Sequence, residues 1–98
     1  MAGDRYEFRA ELWEYDGPAA WHFVSLPPEV ADDIREQVAP NASAFGSIRV
    51  EATVGSTRWT TSLFPDKARR TYLLPIKKDV RNTEDLEAGD VVLVTLQI

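Results

Sequence analysis

Over residues 6–15 the chain alternates Tyr6, Phe8, Ala10 and Leu12 with Glu7, Arg9, Glu11 and Trp13, and over 48–54 it alternates Ile48, Val50, Ala52 and Val54 with Arg49, Glu51 and Thr53. Successive side chains of a strand point to opposite faces, so a period of two with one apolar parity is the pattern of a strand half in a core and half in water. The chain is therefore read as mainly β. Every other segment has to be fitted around strands that need one side covered.

The segments between these runs follow from turn and breaker chemistry. Asp16-Gly17-Pro18 combines a local side-chain acceptor, a positive φ and a fixed φ, and it leads into Ala20-Trp21-His22-Phe23-Val24-Ser25-Leu26, which predicts a hairpin. That second run is apolar at both parities, Trp21 and Phe23 against Val24 and Leu26. It is expected to be a central strand with the core on one face and a helix or another strand on the other. Pro27 cannot donate to a ladder, and Pro28 suits the first turn of a helix. Val30, Ile34 and Val38 then recur at helical spacing with Glu29, Asp32, Asp33, Arg35 and Glu36 outside, so a helix is predicted near 28–39, closed by Pro40-Asn41. Gly46 opens the strand over 48–54, and Gly55-Ser56 is a tight turn into another strand over 57–64. A polar loop over 65–70 and a short strand over 71–74 follow. Pro75 breaks that strand before a short charged helix near 77–83, and Gly89-Asp90 bends the chain into a β-branched last strand over 91–98.

The order strand, Leu-Pro, short helix, Gly, strand occurs twice, first through Leu26-Pro27 and Gly46, then through Leu74-Pro75 and Gly89. The predicted fold is a small closed six-stranded barrel, mostly antiparallel, with an internal pseudo-two-fold repeat. Closure leaves no long open edge and lets a short chain enclose one core.

Composition narrows the chemistry. The 98 residues suffice for a single domain spanning 1–98, and with no Cys and one His, His22, a structural zinc site, an iron–sulfur cluster, a thiol nucleophile and a disulfide framework are excluded on residue supply. No metal or cofactor is expected. Charges at Asp4, Arg5, Glu7 and Arg9 leave no apolar signal segment, and no long uncharged run suggests a membrane span, so a soluble cytoplasmic protein is the expectation. The net charge of −5 disfavours nucleic acid and anionic membranes as partners. The distribution is uneven, however. Residues 58–81 hold seven cations, Arg58, Lys67, Arg69, Arg70, Lys77, Lys78 and Arg81, against Asp66 and Asp79, so the remainder carries about −10.

Three candidate sites emerge. His22 is the one imidazole of the chain, which makes an acid/base enzyme one reading, but nothing like a nucleophile elbow surrounds Ser62 and a lone strand histidine is more often packed. Lys77, Lys78 and Arg81 fall within one helical turn, with Val80 on the inner side. Beside Trp21, Trp59 and Tyr72 they would hold an anionic or phosphate-bearing ligand against an aromatic wall, unless they pair with Asp32, Asp33 and Glu36 across the barrel. Trp13 and Tyr15 take the outward parity of the first strand, which fits a partner surface or packing by the second helix.

An ordered set of motifs carries a resemblance: Trp21-His22-Phe23-Val24 with Leu26-Pro27, then Thr61-Ser62-Leu63-Phe64-Pro65, Tyr72-Leu73-Leu74-Pro75, Lys77-Lys78-Asp79-Val80-Arg81 and Leu86-Glu87-Ala88-Gly89-Asp90-Val91. Over residues 8–96 the chain resembles the bacterial family catalogued as domain of unknown function nineteen-oh-five. The resemblance implies a small β-barrel without assigned catalytic residues. Longer proteins that look similar carry an added C-terminal domain of the bacteriocin-protection, OmpD-associated type. The resulting expectation is a non-enzymatic single-domain module, monomer or weak homodimer, that binds a small anionic ligand or a protein partner through Lys77, Lys78, Arg81, Trp21, Trp59 and Tyr72. A His22 enzyme and a weak DNA-binding protein are the alternatives.

Overall fold

Both alternating runs are strands, and the parity read from the sequence is the parity of burial: Phe8 and Leu12 are buried in β1 (Arg5–Glu14), and Ile48, Val50, Ala52 and Val54 in β3 (Ile48–Val54). The computed structural model describes residues 4–17, 19–38 and 46–98, and only the backbone of Val38. Pro18, Pro40, Asn41 and the last expected helical residue, 39, lie outside the described residues. The other elements are β2 (His22–Ser25), α1 (Pro28–Val38), β4 (Thr57–Asp66), β5 (Thr71–Pro75), α2 (Lys78–Glu84) and β6 (Val91–Gln97). Among the described residues no helix is long and apolar enough to cross a membrane.

The six strands close into a barrel in the order β1-β2-β5-β4-β3-β6, every pairing antiparallel. Two long strands turn its corners by changing partner. β1 pairs with β6 over 5–11 and with β2 over 12–14, while β4 pairs with β3 over 57–63 and with β5 over 64–66. Exchanging β1, β2 and β3 for β4, β5 and β6 leaves the strand order unchanged, which is a property of order alone. The helices differ, α1 having 11 residues and α2 having 7. One core fills the barrel, with Leu12, Val24, Leu63, Leu74, Val94 and Leu96 wholly enclosed, and Ala31 and Ile34 of α1 and Val80 of α2 joining it. Each enclosed aliphatic side chain contributes about 1.5–3 kcal/mol by leaving water.

Each helix is tied to a strand by one carboxylate. The Tyr6 hydroxyl donates to Asp33 at 2.6 Å, and Gln37 donates to the Tyr6 oxygen at 3.0 Å, which joins α1 to β1. Thr57 donates to Glu84 at 2.7 Å, which joins α2 to the β3–β4 turn. Gly55 is needed in that turn for two reasons: its φ is +58°, and a Cβ would overlap the Glu84 carboxylate.

Two sequence expectations are corrected. The segment 65–70 is not all loop, because β4 continues to Asp66. β2 is a shorter strand than the 20–26 run suggested, and among the described residues no helix or strand covers its outer face: Phe23 is half-buried and Trp21, just outside the strand, is 53% exposed. The closed order gives β2 neighbours at its edges, β1 and β5, and α1 packs on β5 rather than over Phe23.

Candidate functional site

β2 and β5 run antiparallel with Phe23 opposite Pro75, and continuing that register by two residues sets Trp21 opposite Lys77. The ladder extends past the strand ends, since the Ile76 amide donates to the His22 carbonyl at 2.9 Å. Pro75 and Ile76 lead directly into α2, whose first turn holds Lys78 and Arg81. A turn before one strand and a helix after its neighbour thus converge, and they enclose a cleft of about 410 Å³ lined by Ala19, Ala20, Trp21, His22, Pro75, Ile76, Lys77, Lys78 and Arg81. Among the described residues no carboxylate lines it.

The three cations are held differently. The Arg81 guanidinium is half-buried, and its Nη1 donates to the Ile76 carbonyl at 2.8 Å, so one donor fixes the strand–helix junction and the others remain for the cleft. Lys77 and Lys78 are exposed, and among the described residues neither forms an ion pair. The alternative of pairing with α1 does not occur: Asp32 takes Arg35 at 2.9 Å and Asp33 takes Tyr6. On the opposite wall Ala20 adopts φ +51°, a left-handed conformation that costs a non-glycine residue about 1 kcal/mol. His22 Nδ1 lies 2.9 Å from the Ala20 carbonyl and must carry the proton in that bond, which leaves Nε2 as the free ring atom.

Of the six residues expected to form the site, Trp21, Lys77, Lys78 and Arg81 come together, and Trp59 and Tyr72 do not. Parity explains both corrections. Tyr72 shares the inward side of β5 with Leu74 and is only 7% exposed, and Trp59 shares a side of β4 with buried Leu63 and packs against the core. Tyr72 instead lies beneath Arg35, whose Cζ is 5.6 Å from the ring centroid, in a separate cleft of about 340 Å³ that also holds Lys67 and Arg70.

Sequence reasoning put Tyr15 outward as a candidate partner surface but did not single out Phe23, Phe64 and Leu73 beside it. Tyr15, Trp21, Phe23, Phe64 and Leu73 line a shallow depression of about 360 Å³ on the outside of the barrel. Trp21 stacks on Phe23 with 6.1 Å between centroids and 12° between planes, and Tyr15 meets the same ring edge-on. The signal was the parity opposite to Leu63 and Leu74, which puts the cross-strand neighbours Phe64 and Leu73 outside together. Trp13 is outward as expected, yet its cover is Phe23 at 5.2 Å and the Arg69 guanidinium at 5.1 Å rather than the second helix.

The family model described as Domain of unknown function (DUF1905) matches residues 8–96. No curated protein matches the chain.

Proposed function

The chain belongs to the DUF1905 family, and from that premise and the geometry of the cleft we propose that it is a non-enzymatic binding module whose ligand is a small anion, held by Lys77, Lys78 and Arg81 against the indole of Trp21. One observation carries this reading: two segments more than fifty residues apart build a cleft with three cations, one histidine and no acid. In a chain of net charge −5 such a cleft is a local reversal of sign. Charged hydrogen bonds from Lys and Arg to carboxylate or phosphate are the stronger kind, and a concave wall with an aromatic face takes the apolar part of a ligand.

The non-enzymatic part of the proposal is supported by what His22 touches. Its ring is bonded to a backbone carbonyl, and among the described residues no hydroxyl or carboxylate is bonded to it to relay a proton. The test is an NMR titration of the whole chain with pyrophosphate, following the Trp21 indole and the amides of Lys77 and Lys78. The double variant Lys77→Ala, Lys78→Ala is expected to bind at least about tenfold more weakly, about 1.4 kcal/mol, with an unchanged fold. Equal binding by the variant, or shifts confined to the Arg35–Tyr72 cleft, would place the anion elsewhere.

A further inference from the structure

The outer aromatic surface and the basic cleft share Trp21, and they differ in what they offer. Tyr15 is 54% exposed, Trp21 53% and Phe64 45%, with Phe23 and Leu73 half-buried between them. Contiguous exposed rings on a soluble domain mark an interaction surface, since burying them contributes far more than solvating them. The barrel is closed, so a partner cannot add a strand to an open edge and must cover side chains.

The charges around the surface say which partner fits. At the end marked by Trp21 stand Lys77, Lys78 and Arg81, with no acid lining the cleft. At the other end, which shares Tyr15 and Leu73, two cations, Lys67 and Arg69, stand among three carboxylates, Glu14, Asp16 and Asp66, and Asp66 takes Arg69 at 3.1 Å. The surface is therefore apolar in the middle, positive at one end and near neutral at the other. A second copy docked by a two-fold axis through this surface would set the three cations of the basic end against the opposite end of the other copy, whose excess of a single negative charge leaves most of that positive charge unanswered. A single-stranded nucleic acid would need uncompensated cations tracking its whole length, and here those without neighbouring acids stand at one end, Lys67 and Arg69 at the other being offset by three carboxylates.

We infer that this surface docks a protein segment carrying apolar or aromatic side chains next to a group of carboxylates, the rings over Phe23, Phe64 and Leu73 and the acids against Lys77, Lys78 and Arg81. The acidic half of the partner rests on the anion-binding reading of the cleft, and the apolar half stands on the aromatic surface alone.

The experiment is selection of displayed random peptides on the whole chain, followed by affinity measurement of the enriched peptides as synthetic probes. Enriched peptides should combine apolar or aromatic residues with adjacent Glu or Asp. Phe64→Thr should weaken them at least about tenfold while leaving pyrophosphate binding unchanged, and Lys77→Glu with Lys78→Glu should weaken both. If pyrophosphate binds and Phe64→Thr leaves peptide affinity intact, the docking inference fails while the anion site stands. If peptides lose affinity in Phe64→Thr but pyrophosphate never binds, the anion site fails and the apolar half of the inference remains. A concentration-dependent dimer in sedimentation that Phe64→Thr abolishes would make a second copy the occupant, and tight salt-sensitive binding of a single-stranded oligonucleotide with no peptide enriched would make it nucleic acid. Either result overturns the proposal.

Discussion

The two sides of the barrel obey the same alternation inside and opposite rules outside. On the side built from β6, β3 and the first part of β1, the outward residues are Arg5, Glu7, Arg9 and Glu11, then Arg49, Glu51 and Thr53, mixed in sign and solvated. Val91 and Leu93 are exposed there too, but their cross-strand neighbours are the charged residues Glu11 and Arg9 rather than further rings. On the side built from β2, β5 and the ends of β1 and β4, the outward residues are Trp13, Tyr15, Phe23, Phe64 and Leu73, next to one another and next to the basic cleft. The fold needs only the inside. On the reading proposed above, the charged side is turned to water and the aromatic side to a partner.

The comparison assumes that the interior is one core. Leu96→Ala, behind the charged side, and Leu74→Ala, behind the aromatic side, remove side chains that are both fully enclosed. Each is expected to cost about 2–5 kcal/mol in urea unfolding, because the lost transfer energy adds to an unfilled cavity. Similar costs and one cooperative transition support a common core. A small loss at Leu74 with a separate early transition would mean that the aromatic side is a loosely attached flap, and its exposed rings would need no partner to explain them.

How far this was legible depends on what the residues had to satisfy. Alternation in β1 and β3, the Pro27-Pro28 start of α1 and the Gly55 turn were readable because each is a local constraint, one that backbone geometry imposes within a few residues. Closure was readable at one remove, since six short strands in so small a chain leave few other ways to cover every edge. In the cleft, Trp21 and the basic turn meet because both flank strand ends that pair. Trp59 and Tyr72 were misplaced because residue type was followed where parity should have been: both share a side with buried leucines. The aromatic surface was hidden for a related reason. Phe64 and Leu73 become neighbours only through the β4–β5 register, and a run of large apolar residues at both parities looks the same whether its second face is covered or bare.

A smaller effect is expected on the charged side, where Tyr6 links β1 to α1. Burial first, then the hydrogen bond to Asp33 and its negative charge, hold the Tyr6 hydroxyl protonated well above the ordinary tyrosine range. Proton binding that is tighter in the fold than in the unfolded chain adds stability that is complete below about pH 10, where unfolded tyrosine titrates, and falls as pH rises from there toward the higher value in the fold. Tyr6→Phe should therefore cost about 1–2 kcal/mol at neutral pH and flatten the alkaline limb of the stability curve. Thermal unfolding of both proteins between neutral and strongly alkaline pH measures this. An alkaline limb that is unchanged in Tyr6→Phe would show that another group governs it.

The smallest expected effect tests the comparison most directly. Phe64 lies on a strand, 45% exposed, beside Leu73, and Thr keeps strand propensity while removing the ring. If the ring serves the fold, Phe64→Thr destabilises the chain like a core truncation. If it serves a surface, stability changes by about 0.5 kcal/mol or less, because the ring's outer half was in water and the core behind it is undisturbed. The matched change on the charged side, Leu93→Thr, removes an exposed aliphatic side chain and should be equally mild. The two variants should then separate only in binding, with Phe64→Thr losing the acidic peptide and Leu93→Thr retaining it. Equal stability with unequal binding is what an outer face shaped by a partner produces, whereas a barrel that merely tolerates stray apolar residues would lose binding in neither variant.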